Sequence, residues 1–323
     1  MRRGGRVACG VVAAVEVDGL VVRYGDLVAV RNTNWRAESG QVTALLGPNG
    51  AGKTSTVEVL EGYRPRAAGT VRVLGLDPVS EHRALVARMG VMLQRGGVYP
   101  TMRAGEATDL YAAYYGRRRR GDALLELVGL TERARSTWRQ LSGGEQQRLA
   151  LALALAGDPD VAFLDEPTAS VDVAGRQLVR RVIRDLADRG ACVVLTTHEL
   201  DEAERIADRV VIIDRGEVVA DGTPDELRRT GPAQVRFAAA PALDTAALAA
   251  HLGAPTHETA PGEYVIEAEG TPALVATLTA WLAERDLPLA DLRAGRQRLE
   301  DVFLRLTADH DEPAPARIAR RRR

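Results

Sequence analysis

Residues 47–55 read GPNGAGKTS, and Lys53 within them is the only lysine of a 323-residue chain whose other strongly basic side chains are all arginine. The stretch satisfies the pattern G-x-x-x-x-G-K-[ST] through Gly47, Pro48, Asn49, Gly50, Ala51, Gly52, Lys53 and Thr54, with Ser55 next in line. Glycines let a backbone curl until successive N–H groups point inward, and the start of a following helix adds the positive end of its dipole. Such a ring suits phosphate oxygens. A compact ammonium reaches the β- and γ-phosphates from inside it, whereas a planar guanidinium is too wide and too directional. The Thr54 hydroxyl then stands where it would hold Mg²⁺.

A second group of residues answers the first. DVAFLDE (160–166) is an apolar run that ends in two acids, Asp165 and Glu166. Adjacent carboxylates have little reason to end a buried strand unless a cation or a proton transfer uses them. Asp165 is read as a Mg²⁺ ligand, largely through water, and Glu166 as the base that orients and deprotonates an attacking water. By itself the pair would read as a solvated strand end; beside the 47–54 loop it reads as chemistry.

Both groups need a scaffold, and the hydropathy pattern supplies one. VTALLG (42–47), VMLQ (91–94), DVAFLDE, ACVVLTTH (191–198) and RVVIID (209–214) read as short strands alternating with helix-period segments. That is the pattern of a parallel sheet covered by helices, whose ligands gather at the C-terminal strand edge. GEQQRLALALALAG and VAGRQLVRRVIRDLADRG are predicted helices, each with a glycine near its end. Residues 96–140 are arginine-rich and helical without a clear strand, an inserted helical subdomain. Gly and Pro cluster in GTPDELRRTGPAQ, and beyond it QVRF, DTAALAAHLG, EYVIEAEG, PALVATLTAWLAERD, PLADLRA and RLEDVFLRLTA predict a small α+β domain closed by an amphipathic helix. The expected boundaries are a disordered leader at 1–14, a main domain at 15–230, the small domain at 233–308 and a disordered basic tail at 309–323.

Composition narrows the function classes. A formal net charge of −1 argues against a general nucleic-acid binder, and no nucleic acid is expected. Cys9 and Cys192 are isolated, without zinc or CxxC spacing, which fits a reducing compartment. No apolar run approaches the roughly 20 residues of a membrane helix. The basic, apolar start imitates a secretory signal, but the run is short and flows into Glu16. RRRR at 117–120 and the arginines of the tail are read as solvated segments rather than as lipid contacts.

LSGGEQQR (141–148), standing shortly before LDEPTASVD (164–172), resembles the signature motif of the ATP-binding cassette (ABC) ATPases. The resemblance covers residues 15–230. It implies an α/β P-loop NTPase cassette: a RecA-like core sheet, an antiparallel N-terminal β-subdomain and the inserted helical subdomain, with the α+β domain following. It also implies that ATP and Mg²⁺ are bound, that Tyr24 stacks on adenine, and that Gln94 senses Mg²⁺ and the γ-phosphate. His198 matches the switch histidine, catalytic together with Glu166 and Lys53, and Asp172 the acid that communicates across a dimer. Ser142, Gly143, Gly144 and Glu145 open a helix as an anion site that in the family serves the partner's nucleotide.

A chain with one of each half must pair, as a homodimer or with a second cassette. The implied partner is a separate membrane permease, which sets the chain at the cytoplasmic face of the membrane. MRAGEATDLYAAYYG and RQRLEDVFLRLT are similar to segments of the drug-exporter subgroup, so efflux is expected over uptake. One departure stands out: where the family has AGLDP this chain has ASVDV. The alternatives are a soluble ABC ATPase of DNA repair or translation, whose coiled-coil insertions, zinc cysteines or paired cassettes are missing here, and a silent regulatory cassette, which Glu166 and His198 disfavour.

Overall fold

The computed structural model describes residues 13–93, 97–116, 121–230, 233–295 and 298–308. Gln94, the RRRR run and the tail from 309 lie outside the described residues, as does the expected leader apart from Ala13 and Ala14. The chain divides into two compact units, Met1–Pro224 and Asp225–Arg323.

In the first unit, β1 (Ala13–Tyr24) and β2 (Leu27–Glu38) form a hairpin. Gly25 of its turn has φ 58°, the left-handed conformation that glycine adopts freely. There follow β3 (Val42–Leu46), α1 (Lys53–Leu60), β4 (Ala68–Val73), α2 (His82–Val86), β5 (Met89–Met92), α3 (Ala104–Tyr114), α4 (Gly121–Leu127) and α5 (Gly143–Ala154). The unit continues with β6 (Val161–Asp165), α6 (Val173–Asp188), β7 (Cys192–Thr197), α7 (Leu200–Ile206), β8 (Arg209–Asp214) and β9 (Glu217–Gly222).

Six strands form the central sheet in the order β5-β6-β7-β3-β8-β9, parallel except for the β9 edge. Nearly every residue of β3, β6, β7 and β8 is buried, because helices and the second sheet cover both faces. That is why these strands read in sequence as unbroken apolar runs rather than alternating ones. The second sheet, antiparallel in the order β2-β1-β4, packs Val15, Leu20 and Trp35 into the same core as Leu45, Phe163 and Val194. The helical insertion has its own core, in which Leu124, Leu125 and Val128 meet Leu149 and Leu153 of α5. Among the described residues, 97–140 contain helices and one isolated bridge, Arg103 to Thr137, but no strand.

The short helix α8 (Pro224–Arg229) begins at the last residue of the first unit, and the second unit continues with β10 (Val235–Ala238), α9 (Thr245–Leu252), β11 (Thr256–Ala260), β12 (Glu263–Ile266), α10 (Pro272–Ala283), β13 (Asp291–Ala294) and α11 (Leu299–Ala308). A βαββαβ order with strands arranged β11-β12-β10-β13, all antiparallel, is the ferredoxin-like arrangement. Asp244 and Thr271 cap α9 and α10 by accepting from the Ala247 and Leu274 N–H groups, and Gly253 closes α9 at φ 66°. Phe237 and Tyr264 stack at 5.0 Å over Leu248, Leu278 and Trp281. Among the described residues no helix is long and apolar enough to cross a membrane.

Candidate active site

The 47–54 loop joins β3 to α1. Gly50 has φ 82° and Gly52 φ 104°, so the loop takes turns that a side chain would oppose. Gly47 is needed for space instead: a β-carbon there would meet the Ile213 carbonyl oxygen at 2.1 Å. Lys53 folds back over the loop, its Nζ donating to the carbonyl oxygens of Gly47 at 2.8 Å and Pro48 at 3.0 Å. An ammonium has three donors, so two of them brace the loop and one is left for an incoming oxygen. Only 7% of Lys53 is exposed. Burial pulls its ammonium below the ordinary lysine value, while the charges of Glu166 and Asp165 push it back. Thr54, Pro48, Asn49 and Gly50 face solvent, whereas Ala51 is buried beneath the loop.

Strand register brings the acids to the same edge. Leu46 pairs with Thr197, and Asp165 with Thr196, so β3, β6 and β7 end together. Asp165 accepts from the Thr196 hydroxyl. Burial, with the charge of Glu166 adding to it, pushes the Asp165 carboxyl up against the pull of that hydroxyl and of Lys53. Glu166 stands at φ 47°, a strained backbone for a residue with a side chain. Its conformation is held from three sides: its N–H donates to the Thr196 carbonyl oxygen at 3.2 Å, its carbonyl oxygen accepts from Gln147 Nε2 at 2.7 Å, and its Oε1 lies 2.8 Å from His198 Nδ1. Lys53, Asp165, Glu166 and His198 therefore gather at one sheet edge.

Tyr24 ends β1, 41% exposed as a residue, with its hydroxyl 3.0 Å from Ser55 Oγ. The Arg64 guanidinium lies 4.2 Å from the ring centroid, steered by an ion pair to Glu58 at 2.6 Å, so one ring face is already covered.

The signature residues form a helix start of their own. Ser142 caps α5 in a capping box: Glu145 N–H donates to Ser142 Oγ at 3.2 Å and Ser142 N–H to Glu145 Oε2 at 2.8 Å. Arg133 adds an ion pair to Glu145 at 2.9 Å. Gly144 packs against the turn at 168–172, where a β-carbon would come 3.0 Å from the Ser170 carbonyl oxygen. Asp172 caps α6 through the Gly175 N–H at 2.8 Å. The ASVDV departure now has a physical meaning. Ser170 sits at φ 60°, where the family's glycine would be free of strain, and Val173, 76% exposed, takes the first helical position that proline would preorganise.

The family model described as ABC transporter matches residues 30–169. The daunorubicin resistance ATP-binding protein DrrA3 of Streptomyces coeruleorubidus is 36% identical over 304 residues, 92% of this chain and 96% of that protein. The chain belongs to the ABC transporter ATP-binding proteins. A second relative of this family, the Nod factor export ATP-binding protein I of Ralstonia nicotianae, is 37% identical over 91% of this chain and 93% of its own length. A solved ATP-binding subunit of an ABC transporter has a TM-score of 0.61 at 26% identity, covering 67% of this chain and 92% of that one. The dimeric structure of the bacterial ABC transporter cassette MJ0796 has a TM-score of 0.59 at 25% identity, covering 65% and 98%. The cassette is accordingly an ATPase subunit of the transporter class, and the soluble DNA-repair or translation reading falls away.

Hydropathy and spacing did not reveal the residues that hold this ABC site in shape. Thr196 touches both acids, Gln147 grips the strained Glu166 carbonyl, and Arg176 pairs with Glu199 next to His198. Only Gln147 and Thr196 carried a signal, the first inside GEQQR and the second two residues before His198. Glu61, at the end of α1, is 3% exposed. Burial, then the charges of Asp165 and Glu58, push its carboxyl up to about 8.

Proposed function

We propose that this cassette hydrolyses ATP as a paired subunit and so drives efflux of a small amphipathic molecule through a separate membrane permease. The observation that carries the reading is the Glu166 carboxylate held 2.8 Å from His198 at the strand edge where Lys53 braces the phosphate loop. The backbone N–H groups of the 47–55 loop, other than Pro48, which has none, and the Lys53 ammonium would take the phosphates, and Tyr24 the base through the ring face that Arg64 does not cover. Glu166 would draw the proton from the attacking water, with His198 hydrogen-bonded to the γ-phosphate. Ser142, Gly143, Gly144 and Glu145 would offer their helix start to the partner's nucleotide, and Asp172 would link the two sites. Gln94 is assigned the Mg²⁺-sensing role by resemblance alone.

The donor set fits Mg²⁺. Thr54 and Asp165 offer hard oxygens, and among the described residues no three His, Cys, Asp or Glu side chains converge into a metal cage. Mg²⁺ commonly takes one or two protein oxygens and leaves the rest to phosphate and water. The charges of Glu166 and Glu58 both act on Asp165, with Lys53 as counter-charge, a surplus of negative charge that a divalent cation would relieve. When bound, Mg²⁺ would neutralise charge developing on the β- and γ-phosphates.

Export is supported by the relatives matched along more than nine-tenths of this chain, whose names are daunorubicin resistance and Nod factor export ATP-binding proteins. Among the described residues no helix is long and apolar enough to cross a membrane, so attachment at the cytoplasmic face would come through the permease. The test is Glu166→Gln: ATP binding should persist, turnover should fall by about 100-fold or more, and an ATP-dependent dimer should accumulate in sedimentation. A variant that stays monomeric with ATP bound would count against the paired site.

A further inference from the structure

Three arginines line one face of α6 at a spacing of four residues: Arg176, Arg180 and Arg184. Each reaches an acid in the segment that follows β7. Arg176 pairs with Glu199 through two bonds, Nη1 to Oε2 at 2.6 Å and Nη2 to Oε1 at 3.0 Å. Arg180 Nε donates to Glu202 Oε1 at 2.9 Å, and Glu202 is buried. Arg184 Nη1 meets Asp208 Oδ2 at 2.8 Å. Repetition at i, i+4 and i+8 keeps all three guanidiniums on the same side of the helix, so α6 and residues 199–208 are laced together along their length.

Arg184 also reaches a backbone carbonyl oxygen, that of Gly40 at 3.3 Å, but only the first pair adjoins the site residues. Besides gripping Glu199, Arg176 donates from Nε to the carbonyl oxygen of Val171 at 3.0 Å. Val171 directly precedes Asp172, and Glu199 directly follows His198. A planar fork holds its donors in fixed relative directions, which a flexible ammonium cannot do. One rigid group therefore sets the distance between the turn carrying Asp172 and the turn carrying His198. The Glu199 end is itself fixed, since its N–H donates to Thr197 Oγ1 at 2.9 Å at the end of β7.

We propose that Arg176 is a positioning residue for hydrolysis: its guanidinium yokes the Asp172 turn to the His198 turn so that the two move as one body. This rests on the roles proposed above for Asp172 and His198. A displacement of either turn by about 1 Å is enough to lower turnover by up to about 100-fold without touching the phosphate loop.

The test compares the full-length chain with Arg176→Gln, Arg184→Gln and Glu166→Gln, measuring kcat and KM for ATP together with nucleotide affinity and the urea midpoint. Arg176→Gln should lose about 10- to 100-fold in kcat with KM and affinity little changed. Arg184→Gln removes a rung of the same kind far from both turns, and should lower the midpoint while keeping kcat. The exchange Arg176→Glu with Glu199→Arg should recover part of the lost kcat, because the pair is restored though the Val171 bond is not. If Arg176→Gln does not fold, Glu199→Gln breaks the same pair from the other side and carries the comparison. Wild-type kcat in Arg176→Gln, or an equal loss in Arg184→Gln, overturns the yoke. Turnover surviving in Glu166→Gln would instead overturn the site assignment on which it stands.

Discussion

Gly50 and Gly52 both have positive φ, yet substituting them should have different consequences. At Gly50, φ is 82° and a β-carbon would find nothing within 4 Å, so Gly50→Ala adds only the left-handed strain, about 1–3 kcal/mol of stability. At Gly52, φ is 104° and a β-carbon would lie 2.6 Å from the Ala29 carbonyl oxygen, where ordinary contact begins at 3.4 Å. The loop or β2 must retreat by about the difference, 0.8 Å. Gly52 is also the residue before the α1 N-terminus, so its retreat displaces the N–H groups assigned to phosphate. A hydrogen bond near 2.9 Å lengthened by that much is lost, and each bond to a charged group is worth about 1.5–3 kcal/mol. Gly52→Ala should therefore weaken ATP binding by about 10- to 150-fold per displaced bond, whereas Gly50→Ala keeps near-normal affinity. Titration calorimetry with ATP on both variants, beside urea unfolding to establish that each is folded, checks this. Equal affinities for the two folded variants would refute the reasoning, since strain alone would then account for both.

Lys53→Arg keeps the charge but replaces a compact ammonium, bonded to two loop carbonyls, by a fork that the same space does not accommodate; ATP hydrolysis should be abolished, and near-normal turnover would contradict the role given to the lysine. Glu61 supplies a pH dependence. Its folded-state value lies above its ordinary one, so its contribution to stability is complete below 4.5 and is lost as pH rises through about 8. Glu61→Gln should consequently gain stability over the wild type across that window, by at most on the order of 5 kcal/mol, and level off above it. Urea midpoints of both proteins below, within and above the window measure the difference, and a constant offset would show that Glu61 ionises normally in the fold.

The parallel strands were legible because burial on both faces leaves no alternation to interpret, and the positions of β3, β6, β7 and β8 follow their apolar runs closely. β5 covers Met89–Met92 rather than 91–94, since the run itself does not mark where pairing with β6 begins. β11 escaped notice for the opposite reason: THETA is almost wholly exposed and pairs through its backbone at a sheet edge. β4 is hard to read from hydropathy because four of its six residues, including the first three, face solvent.

Local chemistry was readable from residue type and spacing because its constraints are local. Glycines at 47, 50 and 52, one lysine, paired acids after an apolar run and a helix start at Ser142 each do their work within a few residues of chain. Tertiary structure alone decided that Arg64 covers one face of Tyr24, that Gln147 grips the Glu166 carbonyl, and that Arg176 joins two turns. These are bonds between side chains and elements far apart in sequence, and an arginine or glutamine on a helix surface has the same pattern whether it faces water or a partner. Which of the two it meets is set only when packing fixes how the helices lie against the sheet.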